Sequence, residues 1–222
     1  MLDHEMREPL FDFLDEHFGK IRTIEEKVIR DSRADVLGVL DGYIVGFEIK
    51  SDHDTYTRLK TQVEDYDRVC DFCYIVVGES HRQHVAEHVP EHWGIIVMSA
   101  EDTRLDRGAD DNPYADIHEQ MKLLWKTEMF QLLDMNGCPK YRSKSRAFLR
   151  EYLAEHIPEE VLKKQMTDMI FERDYTVFEG HPTIGEKKAR KKAVRKRKSA
   201  EAGDRRRAHT AHYVGKKRKR KK

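Results

Sequence analysis

The chain has 222 residues, 38% hydrophobic and 37% charged, with a formal net charge of +1. This length supplies one ample core plus an appendage, and no apolar run is long enough to span a membrane. Leu2 to Glu16 is acidic and periodic, unlike a secretory signal, and three cysteines cannot all pair internally; a cytoplasmic protein of bacterial or phage origin is expected, nuclear if eukaryotic.

In chain order, Asp3 to Phe18 carries Met6, Leu10, Phe13, Leu14 and Phe18 at helical spacing and closes at Gly19, which predicts an amphipathic helix. Pro9 fits best in a first turn, which moves the expected start to near Glu8. Arg22 to Ile29 reads as the first strand. The runs Arg33 to Leu40 and Gly42 to Lys50, joined at Asp41-Gly42, read as a β-hairpin, because Asp-Gly supplies the positive φ angles that a two-residue turn needs. Phe72 to Gly78 and Gly94 to Met98 are strongly apolar strands, with a helix expected between them from about His81 to His88.

Asp35 lies six residues before the turn and Glu48 six after it, so antiparallel pairing sets the two carboxylates side by side, with Lys50 on the face of Glu48. A salt bridge between Glu48 and Lys50 on a solvated sheet is the plain alternative. Against it, Ile44-Val45-Gly46-Phe47-Glu48-Ile49 is apolar on both faces, as in a covered sheet, where a charge needs a reason. Two acids and a lysine converging there are costly unless the like-charge repulsion is offset, and a divalent metal offsets it. Mg²⁺ (or Mn²⁺) is commonly held by one or two carboxylates, so Asp35, Glu48 and the carbonyl of Ile49 are the expected ligands. Lys50 would then orient or deprotonate an attacking water, or stand as a fixed positive charge beside a scissile phosphate.

Asp35 and Glu48-Ile49-Lys50, followed by Ser51-Asp52, Asp54-Thr55, Arg58-Leu59, Gln62-Val63 and Tyr66, resemble the PD-(D/E)XK nuclease superfamily and, within it, the sce7726-like family. The resemblance covers residues 1 to 100 and, more loosely, the segment to about residue 180. Ala34 stands where the superfamily's name has Pro, a position often substituted. The resemblance implies an α/β fold: a three-layer, restriction-endonuclease-like core with a mixed central sheet flanked by helices. It also implies that Gln62 faces the active site and holds substrate or a catalytic water. Tyr66 lies on the same helix face and is read either as a nucleic-acid contact or as a packed aromatic. Arg58 would touch phosphate, or pair with Glu64 or Asp65. Many relatives carry an acid on the N-terminal helix that completes the metal site; Glu5 and Glu8 are the candidates, with Glu25 and Glu26 competing from the first strand.

Two other patterns receive plainer readings. Cys70-Asp71-Phe72-Cys73 has no partner pair, and Cys73 begins an apolar strand, so buried free thiols are expected. His81, His84 and His88 would share a helical stripe, where exposed surface is favoured over zinc binding.

Beyond residue 100 the character changes. Residues 101–116 read as a polar connector and 117–180 as a helical appendage, with Met121, Leu124, Met129, Leu132 and Leu133 on one helix ended by Asn136-Gly137. The stretch Arg142 to Leu153 is similar to the SAP type of DNA-binding helical module, with Arg142 and Lys144 as nucleic-acid contacts. It reads equally as an ordinary helix with cations over a docking face. Residues 181–222 are expected to form a disordered basic tail. From Glu186 to Lys222 there are nineteen Lys or Arg and three acids, net +16, leaving net −15 elsewhere. Lys187, Lys188, Arg190, Lys191, Lys192, Arg195, Lys196, Arg197 and Lys198 have almost nothing apolar among them to bury and suit sequence-independent contact with phosphates.

The expected function is therefore a Mg²⁺-dependent nuclease with DNA as substrate in preference to RNA, no membrane association, and room for a homodimer that cuts both strands. The rival readings are a catalytically inactive nucleic-acid-binding protein with the same fold, and an RNA- or ribosome-associated module.

Overall fold

Asp41-Gly42 closes the hairpin that organises the molecule. In the computed structural model, which describes residues 1–175, Leu40 pairs with Tyr43 across a two-residue turn. Only Gly42 takes a positive φ, 82°, so one left-handed residue suffices. The hairpin strands are β2 (Ser32–Leu40) and β3 (Tyr43–Lys50). Before them stand α1 (Asp3–Phe18) and β1 (Arg22–Ile29); after them come α2 (Leu59–Val69), β4 (Phe72–Gly78), β5 (Gly94–Met98) and β6 (Thr103–Arg107). Four helices follow: α3 (Ile117–Gln120), α4 (Lys126–Met135), α5 (Arg146–His156) and α6 (Glu159–Phe171).

The six strands form one mixed sheet in the order β1-β2-β3-β4-β5-β6. The β3–β4 and β4–β5 pairs are parallel and the others antiparallel. Alternation in the strands splits the apolar residues between two faces. On one face, Met6, Leu10 and Leu14 of α1 pack against Val36, Val45, Phe47, Ile49 and Val76. On the other, Leu59, Tyr66 and Val69 of α2, with Leu132, Leu153, Leu162 and Met166 of the later helices, cover Leu37, Val39, Ile44, Ile75 and Val77. The result is a three-layer α/β fold, and Met1–Arg173 form one compact unit. Among the described residues no helix is long and apolar enough to cross a membrane.

Four sequence expectations need correction. Helix α1 begins at Asp3 and runs through Pro9, rather than starting near Glu8. Glu5 Oε2 accepts a hydrogen bond from the Leu2 amide at 2.7 Å, which secures the first turn upstream of the proline.

No helix spans His81 to His88. That segment forms two single 3₁₀ turns, Glu79–His81 and Val85–Glu87. Only Val85 and Val89 are buried there, too few for an apolar stripe, and polar side chains tie the segment to its surroundings. Asp52 accepts from both the amide and the hydroxyl of Ser80, His81 meets the Ser51 carbonyl at 3.0 Å, and Tyr56 packs on the rings of His81 and His88. The histidines therefore do not share a helical stripe.

The connector 101–116 contains β6, an edge strand whose Arg104 and Asp106 pair with Glu79 and Arg82. Charged residues are what an edge strand favours, and they hide the strand from a hydrophobic-pattern reading. Finally, the single helix expected over Met121 to Leu133 is a 3₁₀ turn at Met121–Leu123, which directly follows α3, and then α4. The chain breaks at Leu124-Trp125, where Glu128 Oε2 accepts from the Trp125 amide at 2.6 Å and starts a new helix.

Candidate active site

The β2–β3 ladder ends with Val36 paired to Phe47, and Asp35 and Glu48 are the next residue on each strand beyond that last pair. Both lie on the α2 side of the sheet. Glu48 is fully buried. Its Oε1 accepts from the ammonium of Lys50 and from the amide of Gln62; Gln62 in turn accepts from Lys50 at 3.1 Å. Glu48 Oε2 is buried and has no hydrogen-bond partner. Asp35 Oδ2 accepts from the Ile49 amide at 2.9 Å. Burial first, and then the charge of Glu48, push the Asp35 carboxyl up from its ordinary 3.8 to about 7, against the opposing pull of the Ile49 amide and Lys50.

Tyr66 fixes this geometry from beneath. Its hydroxyl donates to the Phe47 carbonyl at 3.1 Å and accepts from the Asp35 amide at 3.0 Å, bridging the two strands beside the acids. The ring fits because residue 46 is glycine: a Cβ there would stand 2.4 Å from Tyr66 Cδ1 and 2.7 Å from Cys70 Sγ. Tyr66 is fully buried, so of its two expected readings the packed aromatic is the one the structure matches, and the nucleic-acid contact is corrected.

A groove of about 620 Å³ opens over the site, lined by Asp31, Ser32, Arg33, Asp35, Thr57, Arg58, Thr61 and Gln62. Arg58 stands just before α2. Among the described residues it has no carboxylate partner, unlike Arg30, which takes Asp65 at 3.0 Å. That leaves its guanidinium free for an anion.

The donor set suits a hard divalent cation. A buried and a part-buried carboxylate meet at the site, one oxygen of Glu48 is unsatisfied, and Asp35 resists ionisation because of burial first and the neighbouring Glu48 charge second. Among the described residues no group of three acidic, histidine or cysteine side chains converges as a ready metal cage.

The N-terminal acids sort themselves by geometry. Glu5 is spent on the Leu2 amide and Glu8 is exposed. Glu25 and Glu26 are both held by Arg7, each at 2.8 Å. The acid of α1 whose charge reaches Asp35 is Asp3, itself 3.2 Å from Arg7. Nothing in the sequence separates Asp3 from Glu5, since both fall in the first helical turn. Opposite Asp35 on β1, Glu26 holds a φ of 54°, a left-handed backbone that costs a non-glycine residue about 1 kcal/mol or more.

The other expected residues lie apart. Arg142 and Lys144 are exposed on the loop before α5. Cys70 and Cys73 are buried free thiols. The basic residues Lys187 to Lys198 fall outside the described residues.

Two solved structures are similar in part. One is a protein of unknown function from Silicibacter pomeroyi, 23% identical with a TM-score of 0.40, covering 58% of this chain and 89% of that one. The other is SfsA from Pyrococcus furiosus, in complex with Ca²⁺, 15% identical with a TM-score of 0.31, covering 50% of this chain and 66% of that one. No curated protein matches. The family model described as bacteriophage P4 protein cII matches residues 3–195, most of the sequence and all six strands, and the chain belongs to that family.

Proposed function

We propose that the groove over Asp35 and Glu48 hydrolyses phosphodiester bonds in DNA, as a member of the PD-(D/E)XK nuclease superfamily. The observation that carries this reading is the unpartnered, buried Glu48 Oε2 beside an Asp35 that resists ionisation, with Lys50 and Gln62 converging on the same carboxylate. Asp35, Glu48 and the Ile49 carbonyl would hold Mg²⁺ or Mn²⁺, which when bound supplies charge stabilisation for the phosphoryl oxygens and a more acidic water.

The chain's own residues do the rest. Lys50 sits where it can orient the attacking water or take its proton, and Gln62 fixes Lys50 by accepting from it. Arg58, free at the groove's rim, is placed to hold a phosphate. Tyr66 keeps the two acid-bearing strands in register. The basic residues near the C-terminus supply, by composition, phosphate affinity to a remainder of net charge −15. The setting that fits is the cytoplasm of a bacterium, native or phage-infected.

The test is cleavage of plasmid, linear and single-stranded DNA with Mg²⁺, Mn²⁺ or EDTA. Metal-dependent cutting that Asp35→Ala and Lys50→Ala abolish is expected. If the wild-type chain binds DNA but makes no metal-dependent cut, the non-catalytic reading replaces this one.

A further inference from the structure

A second feature stands apart from the groove. Tyr141, Phe148, Tyr152 and His156 form a continuous ladder of rings along α5 and the loop before it. Tyr141 meets Phe148 and Tyr152 edge-on at 5.1 and 4.9 Å. Phe148 and Tyr152 lie near-parallel at 6.1 Å, and Tyr152 and His156 stack at 3.8 Å. The three tyrosine and phenylalanine rings are only half-buried, and His156 is exposed. Spacing by four places Phe148, Tyr152 and His156 on one stripe of the helix; Leu149 and Leu153 are buried in the core, and Tyr141, Phe148 and Tyr152 pack against its edge with part of each residue exposed.

Beside this ladder runs Lys140-Tyr141-Arg142-Ser143-Lys144-Ser145-Arg146, which has four cations and no acid. Lys144 Nζ lies 4.8 Å above the Phe148 ring. Several other exposed arginines among the described residues are taken up by carboxylates, Arg33 by Glu26, Arg68 by Asp116 and Arg82 by Asp106, Arg58 at the groove being an exception. Among the described residues Arg142, Lys144 and Arg146 have no carboxylate partner, although Glu151 and Glu155 stand on the same helix, where they face His118 and His156. Three cations without a carboxylate partner beside a row of part-exposed rings match a polymer that offers phosphates and flat, unpaired bases at a short repeat. A duplex keeps its base faces stacked inside and offers only phosphates, sugars and base edges.

We propose that this ladder and loop form a platform for single-stranded DNA, with bases on Tyr141, Phe148, Tyr152 and His156 and phosphates on Arg142, Lys144 and Arg146. The platform is separate from the groove and stands whether or not the groove cuts.

The experiment uses the full chain in EDTA, at a salt concentration high enough to suppress purely ionic contacts. Anisotropy is read with fluorescent oligothymidine, oligouridine of equal length and a hairpin duplex. Iododeoxyuridine-containing oligothymidine is also photocrosslinked and the attached peptide mapped. Crosslinks within residues 141–156 are expected, with Tyr152→Leu weakening oligothymidine about tenfold or more, Tyr152→Phe restoring it, and duplex affinity moving little. Crosslinks confined to the sequence beyond residue 180, or equal losses on single strand and duplex, overturn the proposal. Oligouridine bound as tightly, with the same dependence on Tyr152, overturns the assignment to DNA. Should Tyr152→Leu fail to fold, the crosslink map of the wild-type chain decides alone.

Discussion

Replacing Asp35 with Asn in the metal-free protein isolates the cost of the second buried carboxylate. Folding raises the Asp35 pKa from 3.8 to about 7, so between those values the native state holds a proton that the unfolded chain has released. Stability from this group is therefore fully present below about pH 4, declines as pH rises, and is lost once pH passes about 7. At about 1.4 kcal/mol per unit the ceiling is about 4 kcal/mol, and because Asp35 is only part-buried at the groove's edge, water screens this to about 2 kcal/mol. The Asn side chain keeps an oxygen to accept from the Ile49 amide and carries no charge at any of these pH values, so it serves as a flat reference. Urea unfolding in EDTA at about pH 4 and about pH 7.5 gives both stabilities. The wild type should lose about 2 kcal/mol more than Asp35→Asn over that interval. Parallel pH profiles would refute the reasoning, because they would mean that the Asp35 charge is not penalised by burial beside Glu48.

Two further substitutions test how the site is held. Tyr66→Phe keeps the ring but strands the Asp35 amide and the Phe47 carbonyl; a cost of about 2 kcal/mol is expected, seen as a fall of about 4–8 °C in Tm. A fall under about 1 °C would show that water replaces the bridge. Gly46→Ala drives a methyl group into the Tyr66 ring and should cost about 1–3 kcal/mol. Because it pushes α2 outward, it should also lower the metal-dependent cleavage expected of the groove, whereas a surface substitution such as Glu64→Ala should change neither melting nor cutting.

The centre of the molecule was legible because its signals are local. Asp41-Gly42 fixes the turn, the turn fixes the register, and the register brings Asp35 and Glu48 to the same end of the ladder, just past the Val36–Phe47 pair. Gln62 and Tyr66 could be placed together from their spacing of four, but not told apart. Gln62 reaches the carboxylate, while Tyr66 turns under the strands into the space that Gly46 leaves. What the sequence hid depends on contacts between distant segments. The turns around His81 and His88 are set by Asp52, Ser51 and Tyr56, none of them a neighbour in the chain. Strand β6 has no apolar alternation, since its identity comes from pairing with β5. That Asp3 rather than Glu5 is the acid of α1 whose charge reaches Asp35 depends on how the end of α1 sits at the sheet, which no helical pattern specifies.

The sheet order has a kinetic consequence. Every strand lies beside its predecessor in the chain. Asp35 and Glu48 meet by closing a two-residue turn, and Gln62 returns to Glu48 across only 14 residues. By contrast, Thr167 of α6 reaches the Gly42 amide across 125 residues. Loop-closure entropy rises with the logarithm of loop length, so the short closures are the ones a folding nucleus can most easily contain. A nucleus built on these short closures would force the two carboxylates together before the distant helices dock. Relieving their repulsion, whether by protonating Asp35, by Asp35→Asn or by a divalent cation, should speed folding more than it slows unfolding. The charge pair that makes the groove chemically interesting is thus also a brake on the birth of the fold.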